Sequence, residues 1–433
     1  MLDINFIRAN RQKVEDAIRN KAYEIDLDEI LRLDDERKEL SREIDQLRQE
    51  RNQISAQMKG GKPDQKLIEQ GKELKAKLAE LEPKLADIEQ EYISKLKEVP
   101  NVYEDDVPVG LSEDDNEVAE VVGEIPKIKN PKNHYEIGQA RGWIDKERAA
   151  KVTGARFAYI KGDMVKLQMA IVNFVMNSLT DEKVIKEIID KAGLKGQVSE
   201  KPFTIVLPPL MLRTEMYDAM DRLEPRDDRY KIEGEELWLQ GSAEHVLGSM
   251  HAGEIFEEAE LPVRYLGYAT SFRQEAGTYG KDMEGIIRMH QFDKLEMESF
   301  STKETSRKEH ELFVAIQRWL VEQLELPYRV IRKCTFDIGK PDARGIDIEV
   351  WLPGQDKYRE THTADYMTDY QSRRLQTRVR REGGELELVH TNDATAFALG
   401  RIMIAIIENY QNEDCTVRVP KVLQKYLDGK ETI

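Results

Sequence analysis

The sequence has very little cysteine: Cys334 and Cys415 are its only two, and neither belongs to a CxxC pair. This scarcity argues against a disulfide framework and against a cysteine-rich zinc site. Long apolar runs are also missing, since no stretch approaches the roughly 20 apolar residues of a membrane helix. The first 20 residues are charged throughout, unlike a signal peptide. We therefore expect a soluble, cytoplasmic protein with no membrane partner.

Two glycine patterns that bind nucleotides are absent as well. Neither GxGxxG nor GxxxxGK[ST] occurs in the chain, which argues against a Rossmann site and a P-loop. Positive charge is in short supply, because 66 basic and 83 acidic residues give a formal net charge of -17. A field of that sign repels nucleic acid, so any RNA contact has to use a local basic patch.

The first hundred residues have the pattern of a helical hairpin. Apolar residues follow a heptad spacing at Leu40, Ile44, Leu47, Ile54 and Met58, with Arg51 at the skipped position. A break at Lys59-Gly60-Gly61-Lys62-Pro63-Asp64 follows, and the spacing resumes at Leu74, Leu78, Leu81, Leu85, Ile88 and Tyr92. We expect two antiparallel helices of about 32 residues, each ~48 Å long.

The tip of this hairpin is basic on an acidic chain. Residues 48–77 contain eight positive and four negative charges, a difference of +4. Such a tip suits phosphate contacts, which position a nucleic acid without distinguishing its sequence. A structural or dimerising coiled coil is the alternative that heptads alone leave open. The candidate tRNA-binding residues are Arg48, Arg51, Lys59, Lys62, Lys66, Lys72 and Lys75, with Lys77 beside them.

A linker rich in proline and acidic residues covers residues 98–118, and we place the domain boundary near residue 105. The predicted domains are a helical arm at 1–105 and a larger domain at 106–433. In the larger domain, strands and helices mix without regular βαβ alternation, which indicates an α+β fold around an antiparallel sheet flanked by helices. Two strands at 264–275 and 285–298 are predicted to pair as a hairpin, and residues 396–411 to form a buried helix entered past a strand.

Charged residues cluster in the segment FRQEAGTYGKDMEGIIRMHQFDKLE. We predict that Arg273 and Glu275 share one face of a strand, with Arg288 and Glu296 across the loop. Arginines directed at one point can clamp phosphate oxygens. Cross-strand ion pairs on a solvated face are the alternative that the charge pattern alone leaves open.

The same segment resembles motif 2 of the class II aminoacyl-tRNA synthetases, in the form found in the seryl-tRNA synthetase family of the zinc-free type. VLPPLML at 206–212 resembles motif 1, with Pro209 at the interface proline, and GRIMIAIIENYQ at 400–411 resembles motif 3. DYQSRRLQTRVR at 369–380 resembles a further stretch of that family. The resemblance runs nearly end to end and includes the arm.

This resemblance implies that ATP and serine form seryl-adenylate, and that the seryl group then passes to a tRNA with a long variable arm. The tRNA for selenocysteine is a further candidate acceptor. The resemblance also implies a homodimer and Mg²⁺ bound with ATP, and no zinc. By position, Arg273 would hold the α-phosphate, Glu275 the adenine amino group and Arg401 the γ-phosphate. These three are the candidate catalytic residues.

The remaining candidate residues follow by position from the same resemblance. ATP is assigned to Arg273, Gln274, Glu275, Arg288, Met289, Glu360, Thr361, His362, Thr363 and Arg401, with Glu360 and Thr363 also holding magnesium. Serine is assigned to Ser242, Ala243, Glu244, Arg273, Glu296, Asp393 and Thr395, and Glu296 is the predicted contact of its hydroxyl.

The sequence departs from the family pattern at three points around these sites. Ser242 replaces a threonine, and the residues ETHTADY at 360–366 replace E-[IV]-S-S-x-S-N. Asp393 replaces the asparagine that precedes motif 3. Because Asp365 and Asp393 stand at neutral positions of the pattern, we expect a more acidic pocket.

Two other hypotheses remain at the level of the sequence. One is a synthetase-like ligase that loads a different amino acid or a carrier protein; such ligases lack the arm. The other is a non-catalytic binding protein on the same fold, which predicts that the motif arginines and glutamates have been lost. Their presence, at Arg273, Glu275, Arg288, Glu296 and Arg401, counts against it. Solvated or hydrogen-bonded histidines are the expectation for His245, His251 and His362, since no HExxH pair occurs.

Overall fold

The computed structural model describes residues 1–58, 65–276 and 285–433. The chain divides into two compact units, Met1–Val102 and Tyr103–Ile433. No helix of the described residues is both long enough and apolar enough to cross a membrane.

The first unit contains a hairpin of two long helices. Its helices are α1 (Ile4–Ala9), α2 (Arg11–Asn20), α3 (Leu27–Met58) and α4 (Gln65–Glu98). The 32 residues of α3 and 34 of α4 confirm the predicted lengths. Lys95 pairs with Glu29 and Arg48 with Glu82, both at 2.9 Å, so α3 and α4 run antiparallel. The predicted break at 59–64 lies outside the described residues.

Apolar side chains join the two helices along the predicted heptad seam. Ile44, Leu47, Leu74 and Leu78 are buried together. Each such side chain contributes roughly 1.5–3 kcal/mol when it is fully buried. Arg51, at the skipped heptad position, is exposed. Near the base of the hairpin, Arg37 covers the ring of Tyr92 at 4.4 Å.

The second unit is built around an eight-stranded sheet with the order β1-β10-β11-β12-β15-β9-β8-β4. All neighbouring strands are antiparallel except β4 and β8, so the predicted antiparallel α+β architecture is confirmed. The strands are β1 (Glu117–Val122), β2 (Ile144–Asp145), β3 (Tyr159–Ile160), β4 (Thr204–Val206), β5 (Met211–Arg213), β6 (Leu237–Leu239), β7 (Ile255–Glu257), β8 (Val263–Phe272), β9 (Gln291–Ser301), β10 (Tyr328–Arg332), β11 (Arg344–Leu352), β12 (Lys357–Thr368), β13 (Arg378–Arg380), β14 (Leu386–Leu388) and β15 (His390–Ala398).

The second unit also contains helices, which pack on both faces of this sheet. They are α5 (His134–Ala140), α6 (Lys146–Val152), α7 (Asp163–Leu179), α8 (Glu182–Lys191), α9 (Thr214–Ala219), α10 (Glu244–Gly248), α11 (Ser306–Gln323), α12 (Tyr370–Leu375), α13 (Leu399–Asn409) and α14 (Lys421–Gln424). Apolar side chains of α7, α11 and α13 form one core with residues of the central strands, among them Ala364 and Ala394. The opposite face of the central strands carries polar side chains, and α10 and α12 pack against it. The buried helix predicted after a strand is confirmed as α13, which follows β15 directly.

The predicted hairpin at 264–275 and 285–298 is confirmed in its pairing but wrong at its loop end. In the paired strands, Val263 lies opposite Phe300 and Phe272 lies opposite Gln291. Strand β8 therefore ends at Phe272, and β9 begins at Gln291. Arg273, Glu275 and Arg288 therefore lie beyond the strands rather than on one strand face. Glu275 has a φ of +54°, a left-handed conformation that extended strands do not contain.

Candidate active site

A cavity of about 440 Å³ lies on the polar face of the sheet. It collects residues from distant segments: the ends of β8 and β9, the middle of β12 and β15, and the start of α13. Most of the predicted site residues line it, namely Glu244, Arg273, Glu275, Arg288, Met289, Glu296, Glu360, Thr361, Thr363, Asp393, Thr395 and Arg401.

Four predicted residues do not line the cavity. Gln274 is exposed and donates its amide to the backbone oxygen of Arg229 at 2.7 Å. Ser242 and Ala243 are fully buried. The Ser242 hydroxyl accepts a hydrogen bond at 2.8 Å from the ammonium of Lys294, which lines the cavity. His362 is buried on the far side of β12, where its ring lies 5.2 Å from that of Phe397.

The position of His362 follows from the register of β12. The pairing with β11 shifts between Ile348 and Glu349, so Thr361 is an extra residue in the strand. Glu360, Thr361 and Thr363 reach the cavity, whereas His362 faces the helices. Burial lowers the pKa of His362 to about 3, so the ring is neutral. His362 therefore does not line the cavity.

Arginines lie at one end of the cavity. Arg401 enters from the first turn of α13 and pairs with Glu360 at 2.8 Å. Arg273 donates to the backbone oxygen of Gly241 at 3.0 Å and lies over the ring of Phe292 at 5.4 Å. Arg288 pairs with Glu275. Guanidinium groups fixed in this way present several donors to an anion without having to reorganise.

Carboxylate and hydroxyl groups form a second, more buried end of the cavity. Glu296 is 1% exposed, and its carboxylate lies 2.5 Å from the ammonium of Lys294. The hydroxyls of Ser242 and Thr395 donate to it at 3.4 and 3.5 Å. Burial raises the pKa of Glu296 to about 7, against the attraction of Lys294. This cluster can hold a small ligand that carries both a hydroxyl and a charged group.

Glu244 and His245 complete that end from α10. Burial opposes the ionisation of Glu244, but the attraction of Lys294 and of other cations outweighs it and lowers its pKa. Burial lowers the pKa of His245 as well. Its Nδ1 accepts the backbone N–H of Gly241 at 3.2 Å, as a neutral imidazole can.

Hard oxygen donors from β11 and β12 also line the cavity. Thr363 donates its hydroxyl to Asp347 on the neighbouring strand, and Glu360 lies opposite Glu349, two residues further along β11. Burial raises the pKa of Asp347 to about 8, with Lys333 opposing the rise. Within residues 1–58, 65–276 and 285–433, no three His, Cys, Asp or Glu side chains converge on a point that could hold a metal ion.

Four cations of the cavity were not predicted from the sequence, namely Arg222, Arg229, Lys294 and Lys333. Arg222 lies 3.2 Å from Asp342 and 3.5 Å from Asp393. Lys333 interacts electrostatically with Asp347 and Asp365. The two acidic departures therefore have cationic neighbours. Spacing could not have revealed Arg222 or Lys333, because Arg222 follows the short helix α9 and Lys333 lies just past β10, each outside the motif segments.

The basic candidates of the arm lie on the surface of the first unit. Arg51, Lys66, Lys72 and Lys75 are exposed. Arg48 is half exposed and shares its charge with Glu82 and Asp45. Lys59 and Lys62 fall outside the described residues.

Comparison with known proteins places both units in one family. Residues 229–410 match the tRNA synthetase class II core domain (G, H, P, S and T), and residues 1–103 match the seryl-tRNA synthetase N-terminal domain. The serine–tRNA ligase of Symbiobacterium thermophilum is 38% identical over 98% of each chain, and that of Nitrosopumilus maritimus is 35% identical over the full length of both.

Solved structures agree over the whole chain. The seryl-tRNA synthetase of Pyrococcus horikoshii, complexed with ATP, is 37% identical with a TM-score of 0.86 and covers 100% of this chain and 99% of its own. The cytoplasmic serine–tRNA ligase of Naegleria fowleri, in complex with AMP, is 26% identical with a TM-score of 0.83 over 100% and 98%. On this agreement in sequence and structure, the chain belongs to the seryl-tRNA synthetase family.

Proposed function

We propose that this chain activates serine with ATP and transfers the seryl group to tRNA. One observation carries the proposal: a single cavity joins an arginine-rich end, suited to a triphosphate, to a buried end of carboxylates and hydroxyls, suited to a small hydroxylated amino acid. The serine carboxylate attacks the α-phosphorus and pyrophosphate leaves. A ribose hydroxyl of the tRNA then attacks the carbonyl of the adenylate. Holding the reactants in line and stabilising charge on phosphorus supply the rate.

At the triphosphate end, Arg273 holds the α-phosphate and Arg401 the γ-phosphate. Glu275 accepts from the adenine amino group, and the backbone at Met289 lies against the base. Arg288 is the resting partner of Glu275 and is available to a phosphate once adenine engages that carboxylate. Gln274 and His362 have no side-chain role in this assignment, because both point away from the cavity.

At the buried end, serine lies among Glu244, Arg273, Glu296 and Thr395, with Ser242 one layer behind. Glu296 accepts the serine hydroxyl. Alanine and glycine are then disfavoured, because they bring no hydroxyl to donate to Glu296 in a desolvated pocket. Threonine has to be excluded by shape.

Magnesium bound with ATP fits the residues present. Glu360 and Thr363 offer hard oxygen atoms on the cavity side of β12, the donors that Mg²⁺ prefers. When it is bound, the ion supplies positive charge to the triphosphate. The proposal includes no zinc ion.

In this proposal the two predicted domains have different roles. Residues 1–105 hold the tRNA, and residues 106–433 carry out the chemistry. Exposed Arg51, Lys66, Lys72 and Lys75 suit the phosphates of a long variable arm. Relatives that match over the full chain, arm included, favour a tRNA over a carrier protein as the acceptor.

A homodimer is part of the proposal. β4 is an edge strand, and apolar side chains from it and the segment after it are exposed, Leu207 at 75%. An exposed apolar edge is typical of an interface. Sedimentation velocity should give a dimer for the native chain and a monomer for Leu207→Glu. A monomeric native chain would contradict this part of the proposal.

Exchange of labelled pyrophosphate into ATP, measured for serine, threonine, alanine and glycine, tests the activation step. We expect exchange with serine above the other three, since serine alone satisfies Glu296 within the available space. Absence of exchange with serine would refute the proposal, and equal exchange with alanine would refute the role given to Glu296.

A further inference from the structure

Three buried carboxyl groups form a row beneath the amino-acid end of the cavity. Asp365 on β12 is the direct cross-strand partner of Asp393 on β15, which in turn is the partner of Glu298 on β9. Directly opposite residues share a sheet face. Asp393 and Glu298 are two residues from Thr395 and Glu296 on those strands, so the row borders the serine pocket.

Several carboxyl oxygens of the row have no hydrogen-bond partner among the described residues. Both carboxyl oxygens of Glu298 are buried without a hydrogen-bond partner in the described part of the chain, and so is one oxygen of Asp365. Burial and the neighbouring acids Glu244, Asp365 and Asp342 raise the pKa of Asp393, while Arg222 opposes the rise. An uncompensated charge at this depth is costly, so an ionised Asp393 depends on its cation.

Arg222 is the cation that contacts Asp393, and it comes from outside the sheet. It comes from the segment after α9 and reaches both Asp342, at 3.2 Å, and Asp393, at 3.5 Å. Gly339 leaves room for this ion pair, because a Cβ there would lie 2.5 Å from an Asp342 carboxylate oxygen and 3.2 Å from a terminal nitrogen of Arg222. Arg222 thus ties the turn before β11 to the strand that carries Thr395.

We propose that Arg222 is a positioning residue of the amino-acid pocket, whose task is to hold and neutralise the carboxylate of Asp393 where the family pattern has a neutral amide. Without Arg222, the acid loses the contact that fixes it on β15, two residues from Thr395, and the hydroxyl that faces Glu296 shifts with it. Arg401 and Glu360, at the triphosphate end, are spared. The two residues act as one unit, so an amide at position 393 removes the need for the cation.

Pyrophosphate exchange with the full chain tests this pairing through four variants: Arg222→Met, Arg222→Lys, Asp393→Asn and the double Arg222→Met/Asp393→Asn. We expect Arg222→Met to raise the serine KM about tenfold or more, with the ATP KM within about twofold of the native value. Arg222→Lys keeps the charge and recovers part of the loss. The double variant resembles Asp393→Asn alone. Arg226→Met, an exposed arginine of the same loop, is the matched control and should change neither KM.

The remaining outcomes of these exchange measurements decide against the pairing or for a structural role of Arg222. Equal rises in both KM values, or a double variant that is the product of the single effects, would overturn the pairing. If Arg222→Met does not fold, the double variant decides: melting and a serine KM equal to those of Asp393→Asn alone support the pairing, and failure to fold refutes it in favour of a structural role. The inference rests on the proposed function, but the two fail separately. A native chain without serine exchange refutes the function, whereas a native chain with exchange and additive variants refutes only the pairing.

Discussion

Replacing Glu296 with glutamine tests the serine pocket most sharply, because the side chain keeps its size and loses its charge. Glu296 is 1% exposed and lies 2.5 Å from Lys294, with the Ser242 and Thr395 hydroxyls at 3.4 and 3.5 Å. Glutamine can still accept one hydrogen bond, but it presents an N–H₂ to at least one of these donors. The change thus removes the acceptor assigned to the serine hydroxyl and leaves Lys294 with a weaker partner.

The expected magnitude follows from the kind of bond that is lost. A hydrogen bond to a charged group contributes about 1.5–3 kcal/mol, which corresponds to roughly 10- to 150-fold in the serine KM. The larger penalty for breaking a buried ion pair does not apply in full, because Lys294 retains Ser242 at 2.8 Å and the attraction of Glu244. The ATP KM should stay within about twofold, since no triphosphate contact is touched.

Pyrophosphate exchange at varied serine and varied ATP measures both values. Glu236→Gln, an exposed carboxylate paired with Lys231, is the matched control and should leave both unchanged. A serine KM within twofold of the native value would refute the assignment of Glu296. A matching rise in the ATP KM would show instead that the whole cavity had collapsed.

Three further results are expected. Arg273→Ala should lower exchange more than about 100-fold, because it removes a fixed donor to the α-phosphate; near-native exchange would overturn the site assignment. Leu78→Ala should destabilise the hairpin by about 2–5 kcal/mol, seen as earlier loss of helical circular dichroism, with exposed Leu386→Ala as the silent control. The pKa of Glu296 is raised to about 7, so the stability that its protonated form contributes is present below its usual pKa and is lost as pH rises through 7. The melting temperature of the native chain should therefore fall from pH 5 to pH 8, and that of Glu296→Gln should fall less. Parallel curves for the two chains would contradict the shift.

Local patterns predicted the elements that depend on local physics. Heptads on each side of a Gly-Gly break fixed two antiparallel helices, and their seam is buried at Ile44, Leu47, Leu74 and Leu78. Alternating segments predicted that β8 and β9 pair. The sequence could not show where that pairing ends. Glu275 has a left-handed backbone conformation, which a glutamate does not predict.

The site was predictable where residues match a motif and not where tertiary structure alone brings them together. Arg273, Glu296 and Arg401 meet in one cavity as the resemblance implied. His362 does not, because one extra residue in β12 turns it to the other face. Arg222 approaches Asp393 across 171 residues of chain, a contact that spacing cannot reveal.

The central claim is that the cavity makes a seryl-adenylate whose seryl group passes to a tRNA positioned by the arm. Transfer of labelled serine to a serine tRNA, with its long variable arm intact or deleted, tests it most directly when the native chain is compared with one lacking residues 30–97. The account predicts that deleting either arm cripples transfer, while pyrophosphate exchange by the shortened chain stays near native. Equal transfer to both tRNAs, or loss of exchange together with transfer, would contradict it.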